Sequence, residues 1–441
     1  MPGSSLYAYP FCNPELMKNL EKARTMEIAP DVFFIEGFAG PGGFFFSPPS
    51  GNIFVLRDGE MVLLIDTGHH GFYRKKILEV LNRLRKEGAR ELVLMMSHAH
   101  IDHGKNNDVI YEAGYESTRF LLPEPEFHTI NVPAHELSSF KKTREFFDPL
   151  KDLVGGMKML VGWCKQFPEY NDPKYRKVWK TILAMPEAYD PDYAMEVMRV
   201  VFYDLLSPNL SSYIADRAEP LTLNSRETLI IGDEEFKGWP VGRFFAIHDA
   251  SQSPGHLSFY DPRNQLMITG DATLEINPPF IDSDYGAGLD LCRKCLRLAQ
   301  QGHIRLATDS HRTSQFWPTT LAAWGVELMS PVQAWDVARG RDECVTFYQM
   351  WVDYFTTLRD EVLIAHSRIG EATVEEITNE FRKAGDKNKY MKFKMDICPP
   401  KMPSTPEMLV VRLLMEGGAS RRIEGDRILF SPPPKWKFSP V

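Results

Sequence analysis

Hydrophobic and polar positions change period several times along the chain, and each change marks an element. Residues 28–66 carry short runs of β-branched and aromatic residues: DVFFIE, NIFVL and MVLLID. The last two flank RDGE, whose Asp58-Gly59 pair is a hairpin signal. Across 73–87 the period lengthens. Ile77, Val80, Leu81 and Leu84 share one helical face, with Lys and Arg on the other. ELVLMM is a continuous apolar run, the pattern of a strand covered on both faces. The segment 124–225 is rich in aromatic residues, Met and Pro, and predicts helices around 135–147, 175–185 and 192–206. Strand patterns return at 243–248, 257–260 and 265–269. A helix is expected over 289–301 and a strand within HIRLATDSH. From about 355 a separate unit is expected. RDEVLIAHSRIG, ATVEEITNEFRKAG and TPEMLVVRLLMEGG predict three helices, with Pro406 suited to a first turn. SRRIEGDRILF predicts a hairpin turning at Glu424-Gly425-Asp426. Three helices and a hairpin follow the winged-helix order.

The ELVLMM strand runs into SHAHIDHGKNN, which places His98, His100, Asp102 and His103 within six positions of a chain holding only 12 histidines. Imidazoles and a carboxylate crowded at one point are the donor set of a zinc, iron or manganese site. One loop after a rigid strand end can serve two ions, with His98 and His100 turned one way and Asp102 and His103 the other. Further ligand-type residues stand where other apolar strands give way to loops: Asp66 in LLIDTG, His256 in SPGHLSFYD, Asp271 in ITGDAT and His311 in LATDSHRT. Several strand ends opening toward one sheet edge would make a shared pocket.

The order LLIDTG, SHAHIDH, SPGHLSFYD, TGDAT and DSH resembles the five sequence motifs of the metallo-β-lactamase superfamily, over residues 28 to 315. The resemblance implies an αββα sandwich with a metal site at one edge. It implies that His98, His100 and His256 hold one metal and that Asp102, His103 and His311 hold a second. Asp271 would bridge them, and Asp66 would orient a ligand. A C-terminal winged helix is similar to a subgroup related to glyoxalase II-like hydrolases. Two departures stand out. The spacing from His103 to His256 is about twice that of many members, the surplus being 124–225. Where members often read HTPGHSPGH, this chain reads HDASQSPGH, so His248 and His256 remain and Gln252 is not expected to be a ligand. His248 reads either as a satisfied core histidine or as a residue that contacts the site from behind the ligands. The resulting organisation is an N-terminal extension (1–27), a core (28–123), a helical aromatic-rich insertion (124–225), the second part of the core (226–354) and a winged-helix-like unit (355–441).

Composition narrows the function classes. The formal net charge is −8, which does not favour long nucleic acid or anionic lipid as a partner. No apolar stretch approaches the length of a bilayer span, and MPGSSLYAYPFCNPELMKN lacks a secretory pattern. Six scattered cysteines do not suggest a disulfide framework, and a cytoplasmic location is expected. Cys292 and Cys295 form a lone CxxC that reads as buried thiols. Residues 382–401 hold seven Lys and Arg against two acids, but TPEMLVVRLLMEGG has few side chains to read bases, so the C-terminal unit reads as a packing or dimerisation module. His69 and His70 read as ordinary turn or surface histidines. GFAGPGGFFF lacks the Lys of a phosphate loop and reads as an aromatic loop at a pocket rim.

The chemistry expected is metal-dependent hydrolysis. Water shared by two cations loses a proton readily; one bound zinc already lowers its pKa to about 7. The activated water would attack an ester, lactone, thioester or related amide of a small, apolar or aromatic substrate, with Asp102 accepting or relaying the proton. Two zinc ions are the expected cofactors, iron or manganese being alternatives. The rival functions are an iron-dependent redox enzyme, a phosphodiesterase or nuclease, and a non-enzymatic winged-helix regulator. The insertion serves as a lid over the metals, a dimer contact, or both, so a homodimer is consistent with the pattern.

Overall fold

The computed structural model describes residues 22–37, 50–69, 71–151, 158, 161–162, 165, 168–186, 188–206, 213–323, 325–385, 387–397 and 406–437. Most of the glycine-rich aromatic run (38–46), His70, Trp163 and Phe167 lie outside them. The first sheet runs in chain order: β1 (Thr25–Ala29), β2 (Val32–Ile35), β3 (Ile53–Asp58), β4 (Met61–Ile65), β5 (Glu91–Met95), β6 (Ser117–Pro123) and β7 (Glu219–Leu221). Its early strands are antiparallel, and β3 and β4 turn at Gly59, whose φ of +61° suits glycine. From β4 to β7 the pairing is parallel, with helix α1 (Gly71–Lys86) crossing between β4 and β5.

The insertion carries α2 (Val132–Thr143), α3 (Arg176–Leu183) and α4 (Pro191–Val200), the last continuing into a wider turn over Val201–Leu206. The second sheet holds β8 (Glu227–Ile231), β9 (Glu234–Val241), β10 (Phe244–His248), β11 (Leu257–Asp261), β12 (Leu266–Ile268), β13 (Leu306–Thr308) and β14 (Ala338–Arg339), again in chain order. Strands β8 and β9 had no counterpart in the sequence pattern. Helix α5 (Tyr285–Gln301) crosses between the parallel strands β12 and β13.

Period-two alternation sorts the strands' side chains into layers. Leu63 and Ile65 of β4 and Val93 and Met95 of β5 meet Phe244, Ala246, Leu257 and Phe259 between the sheets. Val62, Leu64, Leu92 and Leu94 point the other way, against Ile77, Leu81 and Leu84 of α1. Met267 and Tyr260 of the second sheet pack outward on Leu291 and Leu298 of α5. The result is an αββα sandwich. A fully buried side chain of this kind contributes about 1.5–3 kcal/mol relative to exposure. The insertion joins the first-sheet face, with Phe140, Trp179, Ile182 and Val197 in the same cluster as Leu94 and Leu122.

Helix α6 (Gly340–Ile369) is 30 residues long and runs through position 355, so RDEVLIAHSRIG is its second half. It is followed by α7 (Val374–Arg382), capped by Thr373 and Glu376, then α8 (Lys389–Ile397) and α9 (Pro406–Gly417). The α8 helix had no counterpart in the sequence pattern. A hairpin of β15 (Ser420–Glu424) and β16 (Arg427–Ser431) closes the chain. Trp351, Phe381, Leu409 and Val410 share one hydrophobic cluster with Leu291 of α5, so the C-terminal helices continue the second sheet's outer layer. Among the described residues, no helix is long and apolar enough to cross a membrane.

Candidate metal centre

The site is built where β4, β5, β10, β12 and β13 end. At the end of β4, Asp66 adopts a left-handed backbone (φ +60°) and its carboxylate faces the 97–103 loop. Oδ1 accepts from the Ser97 amide at 2.7 Å, and Oδ2 accepts from Ser97 Oγ at 2.7 Å and His103 Nδ1 at 2.9 Å. Those bonds fix the His103 ring and leave its Nε2 to face the centre. His69 is buried, not at the surface: its Nδ1 lies 2.9 Å from the Ile101 carbonyl and supports the same loop.

Asp271 stands at the middle. Its Oδ2 lies 3.6 Å from His98 Nε2, 3.6 Å from His103 Nε2 and 3.4 Å from His311 Nε2. Asp102 Oδ2 is 3.2 Å from His311 Nε2, and Asp102 Oδ1 is 3.6 Å from His103 Nε2. The ligand atoms of His98, His103 and Asp271 lie within 4.8 Å of one another, as do those of Asp102, His103 and His311. His100 meets His98 with Nδ1 2.9 Å from His98 Nε2. The His256 ring lies 5.2 Å from that of His98, and its Nε2 accepts from the Asp271 amide at 3.1 Å. All seven implied ligands thus lie in one cluster; the triad Asp102, His103 and His311 is the second set the resemblance implies, while the other triad joins His98 to His103 and Asp271. Gly270 permits the approach of His256: its φ is +54°, and a Cβ there would stand 2.6 Å from His256 Nε2.

Further residues complete the surroundings. Asp249 accepts from His256 Nδ1 at 2.7 Å and from Ser258 Oγ at 2.6 Å. His248 Nε2 bonds the Pro254 carbonyl at 2.8 Å, in the loop that carries His256, and Nδ1 faces Arg226 at 3.0 Å. Gln252 Nε2 approaches Asp271 Oδ2 at 3.4 Å. On the insertion side, His135 of α2 donates to Asp282 at 2.9 Å, and the rings of His135 and His100 both stand edge-on to Phe280. Asn277 Nδ2 donates to the Asp271 carbonyl at 2.8 Å. The carbonyls of Glu275 and Asn277 in turn accept from the buried Lys394 of α8, and that of Glu275 also accepts from Tyr354 of α6 at 2.7 Å.

Electrostatics divides the ring of donors. Burial, reinforced by neighbouring imidazoles, holds His98 well below the usual histidine range and His100 down at about 3. Both rings are therefore neutral, with lone pairs available. Burial works against protonation of His103 and His311 too. There the carboxylates win: Asp102, Asp66 and Asp271 raise His103, and Asp271 and Asp102 raise His311 to about 10. Burial likewise opposes ionisation of Asp271, but His311, His103 and His98 keep it well below the carboxylate range.

A metal ion fits this donor set. His100 Nε2, His103 Nε2 and Asp271 Oδ1 are buried without a hydrogen-bond partner. An unpaired buried polar atom costs about 1–3 kcal/mol, and a cation ligated by nitrogen and oxygen would satisfy such atoms.

A sandwich of two sheets with His and Asp donors at its strand ends is a scaffold with a candidate metal-binding site. Residues 47–118 match the family model of the metallo-beta-lactamase superfamily. The matched segment spans β3 to β5 and contains Asp66 and the loop with His98, His100, Asp102 and His103, so over these residues the chain is similar to that superfamily. No curated protein matches the sequence significantly. Solved structures similar to it include a metallo-beta-lactamase family protein from Thermus thermophilus, 15% identical, with 92% of this chain and 100% of that one covered at a TM-score of 0.46. A beta-lactamase domain protein from Burkholderia ambifaria is also 15% identical, with 93% of each chain covered and a TM-score of 0.46. A stereoselective inverting sec-alkylsulfatase from a Pseudomonas species is 14% identical, with 92% of this chain and 54% of the sulfatase covered, also at 0.46.

Proposed function

We propose that the chain is a dinuclear metallohydrolase acting on an ester, lactone, thioester or related amide of a small apolar or aromatic substrate. The observation that carries this is the position of Asp271, whose one oxygen stands 3.4–3.6 Å from imidazoles of His98, His103 and His311. A carboxylate shared in this way is suited to bridge two cations. His98, His100 and His256 would hold one and Asp102, His103 and His311 the other, zinc being the ion these donors suit best. When bound, the ions supply Lewis-acid polarisation and lower the pKa of water.

The chain's own residues do the rest. Asp66 and Asp249 fix the rings of His103 and His256 through their Nδ1 atoms, which leaves Nε2 directed inward. Asp102 Oδ2 would be the proton acceptor; burial opposes its ionisation, but His103 and then His311 outweigh burial and hold its carboxyl below the usual carboxylate range. Phe280, edge-on to His100, offers an apolar surface for the substrate. Asp282 and Asp102 on the same side weigh against phosphodiester anions.

The test is elemental analysis of the purified protein, then turnover of a panel of aryl esters, lactones and thioesters before and after chelation and zinc reconstitution. Two metals per chain and chelator-sensitive turnover are expected. A protein carrying two metals with no metal-dependent turnover of any panel member overturns the proposal.

A further inference from the structure

Glu126 is a carboxylate with no solvent exposure, in the turn Glu124–Phe127 that opens the insertion directly after β6. It stands between two ligand-bearing loops of different sheets. Oε2 accepts from the Ala99 amide at 2.9 Å and from Thr129 Oγ1. Oε1 accepts from the Gly255 amide at 2.9 Å and from Ser253 Oγ. Ala99 lies between His98 and His100, and Gly255 immediately precedes His256.

A second, independent feature points to the same contact. Gly255 has no need of positive φ. A Cβ there would sit 2.5 Å from Glu126 Cγ and 3.0 Å from Oε1, so the bare backbone makes room for this carboxylate. A carboxylate buried in this way is tolerable only because four donors converge on it. Next to it, the Leu257 amide donates to the Ser97 carbonyl at 2.7 Å, a second tie between the same two loops.

We infer that Glu126 is a positioning residue that fixes the His98–His100 segment against the His256 loop, and so sets the spacing of ligands that come from the two sheets. The insertion is therefore part of the site's frame. The inference rests on the metal-centre reading above.

The experiment compares the full-length protein with Glu126→Gln, which keeps the size but turns an amide group toward one of the N–H donors. Cobalt(II) is the probe: affinity is read by competition titration and geometry by the visible absorption bands. Amide hydrogen exchange of both metal-free proteins is measured alongside, with circular dichroism as the check on folding. In a folded E126Q, cobalt affinity falls about 10–100-fold, as for other residues that orient ligands. The cobalt bands shift, and the Ala99 and Gly255 amides exchange at least about tenfold faster. A folded E126Q with unchanged cobalt affinity and bands overturns the inference. Should E126Q not fold, Ser253→Ala removes one donor and leaves the carboxylate in place; it is expected to lower cobalt affinity about two- to fivefold, and no change overturns the inference equally. If the parent protein takes up no cobalt, the proposed function fails, and unchanged exchange at Ala99 and Gly255 then decides against Glu126 on its own.

Discussion

The two sheets supply one site in unequal ways. Strand β5 of the first delivers His98, His100, Asp102 and His103 on a single loop. The second sheet needs three separate strand-end loops for His256, Asp271 and His311. A contiguous cluster owes its geometry to one local turn, here steadied by Asp66. A dispersed set owes it to the register of an entire sheet. The two halves also lean on different additions to the core. The first loop rests on the insertion through Glu126 and meets His135, while the Asp271 loop rests on α6 and α8 through Tyr354 and Lys394.

The contrast can be broken at its centre. Asp271→Ala removes the only carboxylate within reach of His98, His103 and His311 together among the described residues. Metal affinity, measured by competition titration, is expected to fall by about a hundredfold or more, beyond the 10–100-fold typical of residues that merely orient ligands. Unchanged affinity would mean that the halves do not meet at this carboxylate.

A smaller effect tests the insertion side. Burial pushes Glu136 of α2 up to about 8; His135 opposes that, and Asp282 and Asp102 add to it. The folded state therefore holds a proton that the unfolded chain releases near pH 4.5, so stability is lost as pH rises from about 4.5 to 8. Glu136→Gln should flatten that limb and be more stable than the parent by up to about 3 kcal/mol at pH 7, read from urea unfolding at a series of pH values. Parallel pH profiles for the two proteins would refute it.

The smallest effect tests the C-terminal side. Tyr354→Phe deletes the hydroxyl bonded to the Glu275 carbonyl and is expected to cost about 1 kcal/mol in urea unfolding. Hydrogen exchange should quicken in the 271–277 loop and stay unchanged at 98–103. Equal quickening of both loops would show that the halves share one support.

The same inequality governed what the sequence disclosed. The 98–103 cluster was legible at once because its spacing is local. His256, Asp271 and His311 were legible only as donors at the ends of apolar strands. Asp249 and Glu126 were not legible. Each reads as an ordinary acidic loop residue, and its role exists only once another loop folds against it. His248 bonds the loop that carries His256 through the Pro254 carbonyl, a contact its sequence position alone does not show. The start of α6 was hidden by its aromatic run, FYQMWVDYF, where Phe347, Trp351 and Tyr354 are buried and blur the helical period. Helix α8 was masked by its lysines. KYMKFKMDI reads as a solvated basic stretch, yet Lys394 is fully buried among backbone carbonyls. Cys292 and Cys295, by contrast, are the buried thiols their apolar context suggested, raised by burial above the ordinary thiol range.

Helix α6 spans 30 residues, which at ~1.5 Å per residue is a rod of about 45 Å. It begins beside β14 and ends at Gly370, where α7 takes over. A rod shared by two parts of a molecule leaves no joint between them. Its far end is tied to the terminal hairpin through His366, whose Nε2 meets the Phe430 carbonyl at 3.0 Å, while its near end lies against β13 and β14.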